Sequence, residues 1–153
     1  MIKGAYMLGS RLVSLIERHS DKLTQGLVDK LYNCSRTADC RKISPEELAE
    51  GAHDIYRNLS DWLLTKTESD VELRYTAIGA RRAGQGVALP QLVWAILLSK
   101  EHLWAFLQRE GLVTGPVELF GELELLQLLD QFFDRAVYYV VAGYSEMAQR
   151  KAA

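Results

Sequence analysis

The chain has 153 residues, enough for one domain with a real core and rarely enough for two. Its 48% hydrophobic and 25% charged residues are the balance of an ordinary globular protein, not of a disordered or fibrous one. A net charge of −2, a pI near 5.9 and scattered basic residues give no electrostatic footprint for a nucleic-acid partner.

The first predicted helix covers Ile2 to Arg18, with Leu8, Leu12, Leu15 and Ile16 inward. This N-terminal stretch has neither an uninterrupted apolar core nor a small-residue cleavage site, so no signal peptide is expected. The second helix runs from Asp21 to Tyr32 behind a Ser20 cap, turning Leu23, Leu27, Val28 and Leu31 inward. A loop from Asn33 to Ile43 follows. It holds the only two cysteines, Cys34 and Cys40, too few for a disulfide scaffold and suited to a reducing compartment. In a flexible loop the two sulfurs form either a redox pair, with Arg36 and Arg41 lowering a thiol pKa, or two ordinary loop thiols.

Ser44-Pro45-Glu46-Glu47 opens the third helix, predicted to reach Thr65. Ser44 caps it, Pro45 fits the first turn and Glu47 completes a capping box. Leu48, Ala52, Ile55, Leu59 and Trp62 recur on one face. The fourth helix is expected from Asp70 to Ala83, with Val71, Tyr75 and Ile78 inward. Gly84-Gln85-Gly86 then ends it, beside Arg81 and Arg82. Without a preceding strand these glycines read first as a helix stop and turn, although Arg81 and Arg82 would be the first candidates for a small anion.

The fifth helix spans Pro90 to Glu110 and stops at Gly111. Its opening, Leu92 to Leu98, is apolar all round, which predicts a buried central helix. The sixth runs from Pro116 past Gln149, with Gly121 and Gly143 as its candidate break points. Its most apolar part carries Glu122, Glu124, Asp130, Asp134 and Arg135, so it is not a membrane span, and a cytoplasmic protein is expected. At about 1.5 Å per residue this helix reaches some 50 Å, beyond the width of so small a domain. It is therefore expected to meet another chain or domain, with residues 145–153 as a connector. Its aromatics, Phe132, Phe133, Tyr139 and Tyr144, supported by Leu8 and Leu12, are the natural anchors of a homodimer.

From Gly79 to Leu107 the order Gly79, Arg82, Gly86, Leu89, Pro90, Gln91 and a long apolar helix resembles the N-terminal domain of RsbR-type stressosome regulators. The amphipathic helix ending in Asp61-Trp62-Leu63 is similar too. The resemblance covers residues 10 to 145, and its specific part is about thirty residues long. It implies a globin-like bundle of five to six helices that binds no haem, forms dimers and passes a signal to an output domain or signalling partner. It carries no catalytic residues. No output domain follows Ala153, so a stand-alone member or a piece cut at the connecting helix is expected.

No nucleophile elbow, acid–base pair or metal-ligand spacing stands out, so no enzyme, cofactor or metal is expected. The carboxylate pairs Glu46/Glu47 and Glu122/Glu124 read as charges at helix starts. Of the histidines, His19 reads as solvated. A globin-like fold makes His102, and then His53, the candidate ligands of the alternative function, a haem or tetrapyrrole sensor. A lone helical histidine is otherwise a hydrogen-bonded residue at the edge of a core.

Overall fold

The computed structural model describes residues 11–110 and 116–152, with side chains described outside 116–121. These residues form α1 (residues 11–18), α2 (Ser20–Asn33), α3 (Pro45–Arg57), α4 (Glu68–Gly84), α5 (Leu89–Glu110) and α6 (Pro116–Ala152). No strand occurs among them, and the protein is an all-α bundle.

Local chemistry sets most helix starts. At α3 the Ser44 hydroxyl accepts the Glu47 N–H at 3.1 Å and Pro45 takes the first turn. The expected capping box is only half made, because the Glu47 carboxylate turns away to α4. A complete box stands instead at α4. There the Thr67 hydroxyl accepts the Asp70 N–H, and the Asp70 carboxylate accepts the Thr67 N–H at 2.8 Å. It moves the start of α4 two residues ahead of the expected Asp70. Ser20 does not cap α2: it is buried within the helix, and His19 is the cap residue, its ring bonded back to the Leu15 carbonyl and not to the helix start.

Two connections are more ordered than expected. Ser35–Lys42 winds as a 3-10 helix where a loop was predicted, broken at Thr37, whose hydroxyl donates to the Leu31 carbonyl at 2.8 Å. The third helix stops at Arg57 rather than Thr65. The Asn58 amide donates to the Asp54 carbonyl at 3.2 Å, competing with the helical ladder. A π-helical turn, Asp61–Thr65, follows and carries Trp62 into the core beside the buried Leu59.

The core joins Leu12 and Ile16 of α1 to Leu23 and Leu27 of α2, Leu103 and Phe106 of α5, and Leu129 and Phe133 of α6. α5 is central, but not buried all round. Leu92 and Ala95 face inward while Trp94 and Leu97 are exposed, so the apolar run has two environments. Trp94 keeps the Arg36 guanidinium 4.7 Å over its ring. α6 is continuous through Gly143 over 37 residues, roughly 55 Å at the usual helical rise.

Candidate functional site

α4 is the element on which the distinctive residues converge. Its C-terminal turn closes with three backbone bonds: Gln85 N–H to the Arg81 carbonyl, Gly86 N–H to Ala83 and Val87 N–H to Arg82. This is the double-bonded glycine cap of a helix end, and it requires the left-handed φ of +79° found at Gly86. Val87, directly after it, is fully buried.

A polar junction ties this turn to the rest of the bundle. Arg81 holds Glu47 of α3 in a two-pronged ion pair, with its Nε 2.5 Å from Oε2 and its Nη2 2.8 Å from Oε1. Arg82 Nη1 donates to the same Oε2 at 2.5 Å and to Gln85 Oε1 at 2.8 Å. Gln85 Nε2 donates back to Glu47 at 3.1 Å. The Arg81 and Arg82 guanidinium groups, with the Gln85 amide, hold the Glu47 carboxyl down at about 2 against an ordinary 4.5. The two arginines expected to attract an anion are thus committed to a carboxylate of the same chain. The open side of this cleft, beside Glu46, Glu50 and Arg74, carries charges of both signs.

Next to it, the 3-10 segment docks on the start of α5. The Asp39 carboxylate accepts the Ala88 N–H at 2.9 Å, and the Gln91 side-chain oxygen accepts the Asp39 N–H at 2.6 Å. Lys42 Nζ adds a bond to the Gly86 carbonyl at 2.9 Å. α5 is therefore capped by a residue 49 positions away in the chain.

The opposite side of α4 packs on α6 with nothing between the backbones. A β-carbon on Gly79 would lie 2.0 Å from the Val140 carbonyl oxygen, and one on Gly143 would lie 2.0 Å from the Thr76 carbonyl oxygen. The helices run parallel: Glu68 at the start of α4 pairs with Arg135 and Tyr139, while Gly79 lies against Val140 and Tyr144. Tyr144 then reaches past the end of α4 to donate to the Val87 carbonyl at 2.6 Å.

The expected dimer anchors are redistributed by this packing. Phe132 and Phe133 lie in the chain's own core, where Phe132 meets Tyr75 edge-on at 5.7 Å, so they are not interface residues of the folded chain. Leu12 is buried with them. Tyr139 and Tyr144 are half-buried and spend their hydroxyls on Glu68 and Val87. Leu8 lies outside the described residues. Glu122 is no simple helix-start charge either; it is buried and ion-paired with Arg11 of α1.

The histidine geometry does not fit haem. His102 Nε2 lies 3.0 Å from the Leu23 carbonyl, and burial pushes the ring below the ordinary histidine pKa. The ring is wedged against Gly26, whose β-carbon, were there one, would sit 3.0 Å from it. His53 sits on the surface with its Nε2 2.7 Å from an Asp21 carboxylate oxygen. The core cavity holds about 120 Å³ and is not lined by either histidine. A space of that order suits one benzene ring, not a macrocycle of four pyrroles. His19, expected in solvent, is half-buried and tilted against Phe106 at 5.5 Å.

Both thiols are free. Cys34 is half-buried and its pKa is lowered, chiefly by the Arg36 N–H; Cys40 is buried, which raises its pKa. Cys34 caps the start of the 3-10 segment and Cys40 lies within it.

A family model described as the RsbT co-antagonist protein rsbRD N-terminal domain matches residues 21–153. The chain belongs to this family. It is a signalling domain of the stressosome type, and the family is a regulatory one. No curated protein and no solved structure matches the chain. Within this rsbRD N-terminal domain the positions that carried the resemblance have physical duties. Gly79 admits α6, Arg82 holds Glu47, Gly86 takes the left-handed turn and Gln91 receives the 3-10 segment. Sequence reasoning missed Glu47, Asp39 and Gln85 as their partners. It also missed the burial of Tyr56, while Tyr75 is inward as expected. Only the capping-box position of Glu47 hinted at any of them. No helix of the described residues is long and apolar enough to cross a membrane.

Proposed function

We propose that this rsbRD N-terminal domain is a non-enzymatic, globin-like sensor module of the cytoplasm. It works as a homodimer and passes its input through α6 to an output domain or signalling partner. The observation that carries this reading is the glycine contact between α4 and α6. Two backbones in direct contact move as one body, because close-packed interfaces shift between discrete arrangements and do not deform gradually. Any change felt by α4, whose far end holds the polar junction, is thereby imposed on α6. Ala148 to Ala152 of α6 are exposed, which suits a connector over residues 145–153.

The exposed apolar side chains of the same two helices support a contact between copies. Tyr138 of α6 is 68% exposed and Leu73 of α4 is 77% exposed. Multi-angle light scattering of the wild type and of the Leu73→Glu/Tyr138→Glu variant tests the dimer. A wild-type mass of two chains that falls to one in the variant is the expected result. A strict monomer at high concentration overturns it. A bimane or nitroxide label at Ala148 tests the relay, since its signal should change when the Glu47 junction is cut by Glu47→Gln.

A further inference from the structure

The chain has three histidines, and the fold gathers all of them at the start of α2. His19 is the cap residue of α2, and its ring bonds back to the Leu15 carbonyl of α1 at 2.9 Å. His53 of α3 places its Nε2 2.7 Å from an Asp21 carboxylate oxygen. His102 of α5 places its Nε2 3.0 Å from the Leu23 carbonyl. One imidazole from α3 and one from α5 thus grip α2 two residues apart, in opposite settings. His53 is partly exposed and faces a carboxylate. His102 is buried and wedged against Gly26, and its Nδ1 has no partner. A carbonyl only accepts, so Nε2 carries the proton of the neutral His102 ring and a second proton would enter at Nδ1. The charges that bear on this ring are Lys30 of α2 and Arg109 of α5, both positive.

We propose that acidification releases the start of α2 from α5 while leaving it attached to α3, with His102 as the releasing group and His53 as the retaining one. A protonated His102 would be a buried cation beside two like charges, with no acceptor at Nδ1, so the ring must leave the seam. At His53 the same proton turns a hydrogen bond into an ion pair with Asp21. That pair is exposed and weak; it biases which neighbour α2 keeps and does not drive the release. A charge on His19 favours the end of α1 and opposes the start of α2, so its two effects work against each other. Burial, then Lys30 and Arg109, hold His102 below the ordinary histidine value of 6.5. The contact with α5 is therefore complete above about 6.5 and is lost as pH falls from there through the folded value. α2 leads into the 3-10 segment whose Asp39 accepts the Ala88 N–H, next to the Val87 carbonyl that holds Tyr144 of α6. A shift of α2 thereby has a route to α6.

This inference rests on the sensor reading for its use and names protons as an input. Amide hydrogen exchange of the full chain between pH 7.5 and 5, corrected for intrinsic rates, tests it. Protection of the α2 amides should fall about tenfold per pH unit below about 6.5, while that of α4 holds. His102→Gln offers an amide N–H to the same carbonyl and cannot titrate, so its α2 protection should stay flat. Asp21→Asn, which removes the hold on α3, should lose about a further twofold at pH 5. Unchanged α2 protection in the wild type, an equal fall in His102→Gln, or a fall of α2 and α4 together overturns the proposal. If His102→Gln does not fold, ring-proton resonances of the wild type decide: protonation of His102 must track the opening of α2, and protonation with α2 still protected overturns it. None of these results touches the dimer and relay, which light scattering and the Ala148 label read independently.

Discussion

The two faces of α4 are built on opposite principles. Toward α6, Gly79 and Gly143 bring backbone against backbone, with no room for a methyl group. Toward α3 and α5, α4 is held by side chains: Glu47 ion pairs at one end, Arg74 and Asp54 3.7 Å apart further along, and a cavity inside. The first face transmits displacement because it cannot absorb any. The second leaves an unfilled space beside α4.

The sharpest way to break the contrast is to add a methyl to the tight face. Gly79→Ala or Gly143→Ala places a carbon 2.0 Å from a carbonyl oxygen of the facing helix. Each should destabilise the chain by about 3 kcal/mol, lowering the melting temperature by roughly 10 °C in thermal denaturation. A loss below the few tenths expected of a surface change would show that the helices separate easily. The turn between the faces comes next. Gly86→Ala forces a β-carbon into a φ of +79° and should cost about 1–2 kcal/mol in urea unfolding.

Glu47→Gln should cost about 1–2 kcal/mol at pH 7, since it removes charged bonds at a partly exposed site. The Glu47 carboxyl is depressed in the folded chain, to about 2 from about 4.5. Its stabilisation is complete above pH 4.5 and is lost as pH falls toward 2, so the gap between wild type and variant should close across that window. His102, whose pKa is also depressed, acts at higher pH. Neutral in the core, it should begin to weaken the fold as pH drops below about 6.5, and a His102→Gln variant should flatten that limb. The smallest effect is favourable. Gly51→Ala, on the loose face with nothing near its β-carbon, should stabilise α3 by about 0.5–1 kcal/mol. A loss there would mean that the loose face is fuller than its geometry.

Much of the helical plan was legible because its signals are local. Ser44-Pro45 and Gly86 act through bonds within a few residues of themselves, and the inward faces of α2 follow from spacing alone. The start of α4 was misplaced only because the Thr67–Asp70 box went unread. The apolar run Leu92 to Leu98 misled, since composition says how apolar a helix is and not how many neighbours it has. Trp94 and Leu97 remain exposed, Trp94 with only the Arg36 guanidinium over its ring among the described residues. The aromatics of α6 misled in the other direction. Phe132 and Phe133 looked like anchors for a second chain, and α4 and α5 supply their partners within this one.

By itself, then, the sequence determined an all-α chain, the approximate bounds of its helices and its membership in a regulatory family, because periodicity, caps and motif order are written along the backbone. The tertiary structure alone decided what the glycines and arginines are for. Gly79 is needed only because Val140 arrives from 61 residues away, and Arg82 is neutralised only because α3 delivers Glu47. It also left the buried hydroxyls of Tyr56 and Tyr75 without a hydrogen-bond partner. Contacts between distant segments depend on how helices pack in space, and no local pattern records that.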